Sequence, residues 1–299
     1  MLNTIAQSVR PRIKSLLFYV HAPPVLRSLT EMRWRGFIAA VLPQPNNLRL
    51  STPTFALQLY GAEANLWRYD FEKSLSQTEY RFEVSPRAWY FALFRSLDVG
   101  QVQIFQQGRW WTPPSSFWVF QPAFEPVELN LSGHFAIECM RCYEPVPTER
   151  AISSVMVVPC SPTMDFPRTA AEVFGLLEKA TAAPADLVFV SRRAKTSGIA
   201  RKLKMHLDRT YREPIQISDV ARSFGVRREV MSRQFTEDYG IPPVGYRNRL
   251  RIMDAIALVA EQSMSFPRAA VEVGFRDFSG FSKQLKRVVE VRPSGFVPV

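Results

Sequence analysis

The last third of the chain states one pattern twice. Ile217–Tyr246 (ISDVARSFGVRREVMSRQFTEDYGIPPVGY) and Phe266–Phe296 (FPRAAVEVGFRDFSGFSKQLKRVVEVRPSGF) share their apolar, small and glycine positions. Ile217, Ala221 and Gly225 return 49 residues later as Phe266, Ala270 and Gly274. Met231, Phe235, Ile241, Pro243 and Tyr246 return 50 residues later as Phe281, Leu285, Val291, Pro293 and Phe296, so the second copy has one extra residue just after its glycine. An internal repeat of this kind is one structural unit used twice.

Each copy has the grammar of a helix-turn-helix. A short helix carries a small residue, Ala221 or Ala270, where a second helix can cross closely; a glycine then permits a sharp turn, and an amphipathic helix follows. In the first copy that helix is expected from about Arg227 to Asp238, with Val230, Met231 and Phe235 inward and Glu229, Ser232, Arg233 and Thr236 outward. In the second, Asp277 stands at the N-cap, with Phe278, Phe281 and Leu285 inward and Ser279, Ser282, Lys283 and Lys286 outward. Hydrogen-bonding and cationic side chains on a helix that fits the major groove are what base and phosphate readout requires. Between the copies, Val244–Glu261 has a helical apolar pattern. Those 18 residues span roughly 27 Å, which holds two reading heads about one DNA turn apart.

Charge concentrates on the same segment. Residues 192–299 hold 21 Lys+Arg against 11 Asp+Glu, while residues 1–191 hold 17 against 16, in a chain of net charge +11. Such asymmetry suits a polyanion, because cations that neutralise phosphates release condensed counterions. A solvated basic surface would have the same composition, so the pattern of the repeat decides between the two.

From about Ile199 to Phe296 the chain resembles the AraC/XylS-type DNA-binding domain. The carrying residues are ISDVARSFGV, FTEDYGI, RNRLRIMDA, AAVEVGFRDFSGFSKQLKR and RPSGF. The resemblance implies seven helices, with a helix-turn-helix at each end of a central linker helix, reading two successive major-groove segments of double-stranded DNA. Glu229, Ser232, Arg233, Ser279, Ser282 and Lys283 are then the base-reading candidates, with Thr236 and Lys286 beside them on the same outward faces. Two positions depart from the family pattern: Arg227 stands where a Ser or Thr N-cap is usual, and Val297-Pro298-Val299 follows the last aromatic where an Arg is usual.

The first part, residues 1–190, reads as β-rich to about Thr148. Strands are expected at Thr54–Tyr60, Glu79–Val84, Ala88–Leu97, Gln101–Gln106, Phe117–Phe120, Val127–Leu131 and Ala136–Cys142, punctuated by Gly100, Gly108, the Pro113–Ser116 run, Pro122, Pro126 and Gly133. Short strands at this spacing suggest a sandwich or barrel. An apolar stripe at Ala170, Val173, Phe174, Leu177 and Ala180 then predicts a helix over Phe166–Ala180, ended by Pro184, and Ser191–Gly198 reads as a linker to a domain over 199–299. The fold class expected is therefore α+β and multidomain: a β-rich barrel with helices, then an all-α domain with two helix-turn-helix units.

Val99–Glu144 is loosely similar to the cupin-like barrel of the XylS branch. That likeness implies effector sensing and a homodimer formed through this domain, and the helix at Phe166–Ala180 could serve the dimer or pack on its own barrel. An aromatic-rich barrel either encloses an apolar ligand or fills itself. Trp110, Trp111, Phe117, Trp118 and Phe120 are the pocket candidates, weighed against core filling, which large aromatics usually serve.

No catalytic set competes. The chain has three histidines, His21, His134 and His206, too few for a metal-dependent cupin enzyme. Cys139 and Cys142 form a C-x-x-C, but strand residues three apart face opposite ways, and Cys160 stands alone. There is no Walker-type loop, G-x-S-x-G or H-E-x-x-H. We expect no cofactor, no metal and no enzyme activity. No apolar run approaches the roughly 18 residues of a membrane span, Leu16–Val20 being the longest early one, and the first 25 residues carry no signal-peptide pattern. With three cysteines suited to a reducing cytosol, a cytoplasmic transcription regulator is the expectation. Activation and contact with RNA polymerase follow from the family alone. A ligand-independent repressor or architectural DNA-binder, whose barrel serves only assembly, is the alternative.

Overall fold

A computed structural model describes residues 48–52, 55–63, 66–146, 152–183, 186–190, 195–262, 264–289 and 292–298. The expectations for Leu16–Val20, His21, Pro184 and the first four residues of the linker lie outside them.

The first part is a curled antiparallel sheet, a half-barrel. Its strands are β1 (Leu48–Thr52), β2 (Phe55–Glu63), β3 (Leu66–Glu83), β4 (Trp89–Phe94), β5 (Val102–Gln106), β6 (Arg109–Trp111), β7 (Phe117–Gln121), β8 (Val127–Cys142), β9 (Val155–Pro159) and β10 (Val188–Val190). They run in the order β10-β9-β7-β4-β8-β3-β2-β1, with β5 and β6 branching from β8. The two expected strands on either side of Gly133 are one strand, β8. Gly133, at φ 72°, sits at an irregularity where Leu75 pairs with Gly133 and Glu79 with Leu131, so β3 carries two more residues than β8 there. A glycine that reads as a break is thus a bulge, which bends the sheet without interrupting it. β3 itself extends thirteen residues upstream of the expected Glu79, through a stretch where Trp67, Tyr69 and Phe71 alternate with charged residues and run on into the largely polar residues 73–78.

Both faces of the sheet are covered, which the alternation of side chains makes possible. Ala92, Phe94, Phe117, Val119, Ile137, Cys139, Val155 and Val157 form one cluster. Trp89, Phe91, Leu93, Trp118, Phe120, Met140, Cys142 and Met156 form another, roofed by helix α1 (Ala170–Ala182) through Ala170, Val173, Leu177 and Ala180. The apolar stripe of α1 is therefore spent on its own sheet and does not supply the dimer contact that family likeness suggested. The helix starts four residues later than Phe166 because Thr169 caps it, accepting from the Glu172 N–H at 3.2 Å.

The second part holds α2 (Gly198–Thr210), α3 (Ile217–Ser223), α4 (Arg228–Tyr239), α5 (Pro243–Gln262), α6 (Phe266–Glu272) and α7 (Phe278–Val289), then a 3-10 turn at Pro293–Gly295 and strand β11 (Phe296–Pro298). Among the described residues that is six α-helices, one fewer than the resemblance implies. The tail that departs from the family pattern instead extends the sheet: β11 pairs antiparallel with β1, Leu50 opposite Phe296 and Leu48 opposite Pro298.

The two parts share a buried seam. Phe82 from β3 and Val84 just beyond its end pack with Leu203, Leu207, Tyr246 and Leu250, while Trp67 joins the cluster of Ile252, Ala255, Phe281 and Leu285. Lys204 Nζ donates to Glu125 at 3.0 Å and to Asp208 at 2.9 Å, and Arg141 donates to Glu261 at 3.0 Å with both side chains under one-tenth exposed. Burial raises the Glu261 carboxyl above its ordinary value even beside Arg141. An ion pair so buried is costly to break one-sidedly, because the surviving charge is left without its partner.

Candidate nucleic-acid interface

The repeat is a repeat in three dimensions. In the first unit Gly225 takes φ 68°, and the Val226 N–H donates to the Ala221 carbonyl at 3.0 Å. In the second, Gly274 takes φ 90°, and the Phe275 N–H donates to the Ala270 carbonyl at 2.9 Å. This is the bond that closes a helix over a left-handed residue, and it explains why a small residue and a glycine recur four apart. The extra residue of the second copy lies in the turn: two residues separate Gly225 from α4, three separate Gly274 from α7.

The helix starts differ as the sequence implies. Asp277 Oδ1 accepts the Gly280 N–H at 2.6 Å, whereas Arg227 supplies no side-chain cap to α4. Inward, Ala221, Met231 and Phe235 are buried in one unit and Ala270, Phe281 and Leu285 in the other. Gly225 is exposed at the outside of its turn, while Gly274 is half-buried. Phe278 corrects the expected inward stripe. It is 40% exposed at the first position of α7, its ring stacked on Phe281 with centroids 5.7 Å apart, because the residue opening a helix lies beyond the neighbours that would cover it.

Outward, Glu229 and Arg233 on α4 are exposed and Ser232 and Thr236 half-buried; on α7, Ser279, Lys283 and Lys286 are exposed and Ser282 half-buried. The Thr236 hydroxyl donates to the Ser232 carbonyl at 2.8 Å, so it presents its acceptor side outward. Among the described residues, Arg233, Lys283 and Lys286 make no ion pair. Arg227, Arg228, Arg276 and Arg287, not among the sequence-derived candidates, are also exposed at or next to the same two helices.

Not all of the positive charge faces out. Arg247 donates to the Ile215 carbonyl at 2.6 Å, Arg249 to the Phe82 carbonyl, and Arg251 to the carbonyls of Tyr211 and Glu213. Burial lowers all three guanidinium pKa values, that of Arg251 to about 10. With Lys204 and Arg212, these cations of the basic segment are structural. A sequence count cannot separate them from cations free to meet phosphate. The helix that carries the three arginines, α5, is 20 residues long, or about 30 Å, and runs between the units as expected.

The aromatic pocket candidates do not converge. Phe117 lies in one sheet cluster and Trp118 and Phe120 in the other, since neighbours on a strand face opposite ways. Trp111 only edges the first cluster, and Trp110 is 37% exposed, its ring edge-on to Phe105 and Tyr80. They fill cores and an edge rather than line one chamber. A cavity of about 310 Å³ is lined instead by Arg95, Gln101, His134 and Glu138 among others. Cys139 and Cys142 fall in opposite clusters, and burial pushes the Cys139 thiol up to about 12. Among the described residues no three His, Cys, Asp or Glu side chains gather to hold a metal.

Residues 220–297 match a family model described as a helix-turn-helix domain. The transcriptional regulatory protein HptR of Staphylococcus aureus is 27% identical over 90 residues, 30% of this chain and 35% of that protein. The HTH-type transcriptional regulator ExsA of Pseudomonas aeruginosa is 28% identical over 108 residues, 36% of this chain and 38% of that one. The match thus spans little more than a third of these curated relatives. ToxT from Vibrio cholerae shares the fold more widely, with a TM-score of 0.51 at 12% identity over 77% of this chain and 97% of that one. A ToxT structure with bound (E)-4-(8-methylnaphthalen-1-yl)but-3-enoic acid gives 0.50, also at 12% identity and the same coverage of both chains. Residues 220–297 are a helix-turn-helix domain, set beside a curled half-barrel in a fold shared with ToxT.

Proposed function

We propose that this chain is a sequence-specific DNA-binding transcription regulator that reads two adjacent major-groove segments. Glu229, Ser232, Arg233 and Thr236 would read one, and Ser279, Ser282, Lys283 and Lys286 the other. The observation that carries this reading is the pair of equivalent turns, each presenting a helix whose outward face is polar and cationic, held at the two ends of one 20-residue helix. Cations that form no ion pair among the described residues are available to phosphates, and serines and arginine at groove-facing positions are available to base edges. Under this reading residues 199–299 are the DNA-binding domain, 191–198 the linker and 1–190 the partner domain. Activation, contact with RNA polymerase and dimerisation rest on family likeness. Within the described residues, no helix is long and apolar enough to cross a membrane.

The role of the half-barrel has two readings. ToxT, with the same fold, has been solved with a small organic acid bound, which favours an effector-binding domain. The filled clusters on both faces of this sheet favour the other reading, a domain that serves assembly without a ligand. The test of DNA reading is selection from random duplex DNA with the full-length protein, followed by footprinting. Two short enriched motifs about one helical turn apart are expected. Salt-sensitive binding with no enriched motif would overturn sequence-specific reading.

A further inference from the structure

Asp254, in the middle of α5, is fully buried, and it stands where four parts of the chain meet. Its Oδ2 accepts from the Tyr211 hydroxyl at 2.8 Å and from Arg212 Nε at 2.8 Å, both on the segment that leaves α2 towards the first unit. Arg212 also reaches Glu272, the last residue of α6 in the second unit, at 3.4 Å. Arg251, three residues earlier on α5, holds the same segment through the carbonyls of Tyr211 and Glu213. The segment lies hard against the turn of the second unit: a Cβ placed on Gly274 would sit 1.9 Å from the Arg212 carbonyl oxygen. Oδ1 of Asp254 remains, and it is taken by Arg87, from the loop between β3 and β4 of the half-barrel.

We propose that Arg87 is a positioning residue for DNA reading: by holding the second oxygen of Asp254 it lets the half-barrel fix the orientation of the two helix-turn-helix units relative to one another. The half-barrel thereby sets which separation of DNA segments the chain accepts. This rests on the reading that both units contact DNA.

Arg87 is itself constrained. It is a non-glycine residue at φ 63°, and its guanidinium lies 5.7 Å from the centre of the Tyr143 ring, whose hydroxyl donates to Glu261 on α5. Without Arg87 the carboxylate keeps Tyr211 and Arg212, so the helical part retains its own core and the rest of the seam, including Arg141 with Glu261 and Lys204 with Glu125, while the tie from the half-barrel to Asp254 is lost. Two units on a common helix can still pivot where they meet, and a buried charge held from both sides penalises that pivot.

The experiment uses the full chain. Spin labels are placed at Glu237→Cys on α4 and Arg287→Cys on α7, both exposed, with Cys160→Ser; Cys139 and Cys142 are buried. Dipolar spectroscopy should give one narrow distance in this background, a broader or displaced one with Arg87→Ala, and recovery with Arg87→Lys, which restores the charge. In parallel, the selected two-part site is lengthened by five base pairs, about half a helical turn. The parent protein should lose at least about tenfold in affinity, and Arg87→Ala no more than about threefold, a coupling within the usual range. If Arg87→Ala does not fold, Arg87→Met, which keeps most of the aliphatic stem but neither charge nor donor, replaces it. A distance distribution or spacing profile unchanged by loss of Arg87 overturns the inference alone. A parent protein that selects only one DNA segment overturns the two-segment reading, and this inference with it.

Discussion

The two turn glycines provide a controlled comparison, because the repeat makes them equivalent while the tertiary structure does not. Both lie in the left-handed region, Gly225 at φ 68° and Gly274 at φ 90°. An alanine there costs about 1–2 kcal/mol from its Cβ alone. At Gly225 nothing lies within 4 Å of the added Cβ, so that is the whole cost. At Gly274 the Cβ would stand 1.9 Å from the Arg212 oxygen and 3.0 Å from Arg251 Nη2. A backbone carbonyl cannot swing aside as a side chain can, and overpacking of this kind adds about 1–3 kcal/mol. Gly225→Ala should therefore destabilise by about 1–2 kcal/mol and Gly274→Ala by about 2–5 kcal/mol. Urea unfolding followed by far-ultraviolet circular dichroism measures both. The reasoning fails if the two alanines cost the same within about 0.5 kcal/mol, for then no close approach distinguishes the second turn.

Other predictions follow from the same geometry. Arg233→Ala and Lys283→Ala should each weaken DNA binding while leaving helix content intact, since neither side chain is buried; if the contact is to phosphate, the salt dependence of binding should fall by about one charge. Loss of helicity in either variant would refute the outward placement. Val173→Asp and Leu177→Asp should unfold or aggregate the half-barrel rather than yield a folded monomer, because both residues are buried on the face of α1 that packs against its own sheet; a soluble, native-like monomer would show that the stripe is an intersubunit face. At alkaline pH the seam should weaken. Burial and Asp254 push the Tyr211 phenol up to about 12, and burial with Asp208 holds Tyr246 well above its ordinary value. A phenol that keeps its proton longer when folded contributes stability that is whole below pH 10 and declines as pH rises past it. Tyrosinate absorbance from these residues should appear only together with unfolding, and titration near pH 10 with the circular dichroism unchanged would contradict the burial.

What the sequence determined by itself is the local grammar of the carboxy-terminal part. Ala221 with Gly225, and Ala270 with Gly274, encode a hydrogen bond closed within six residues, and Met231 with Phe235, and Phe281 with Leu285, stand one helical turn apart. Such information needs no distant partner, which is why the units and their inward residues other than Phe278 were legible. The capping role of Asp277 and its lack at Arg227 were legible for the same reason.

What only the tertiary structure decided depends on partners far away in the chain. Arg233 and Arg251 look alike in a charge count, yet one is exposed and the other is buried against the carbonyls of Tyr211 and Glu213. The apolar stripe of α1 fits a second subunit or a sheet equally well until the sheet is in place. Gly133 reads as a break because nothing nearby says that β3 will supply two extra residues opposite it. Phe117 and Trp118 are adjacent aromatics that end in separate cores, which only the pairing of β7 with β4 and β9 assigns. Residues 296–298 close the list. Three residues cannot specify a strand alone, and they become one only because β1 offers an edge to pair with.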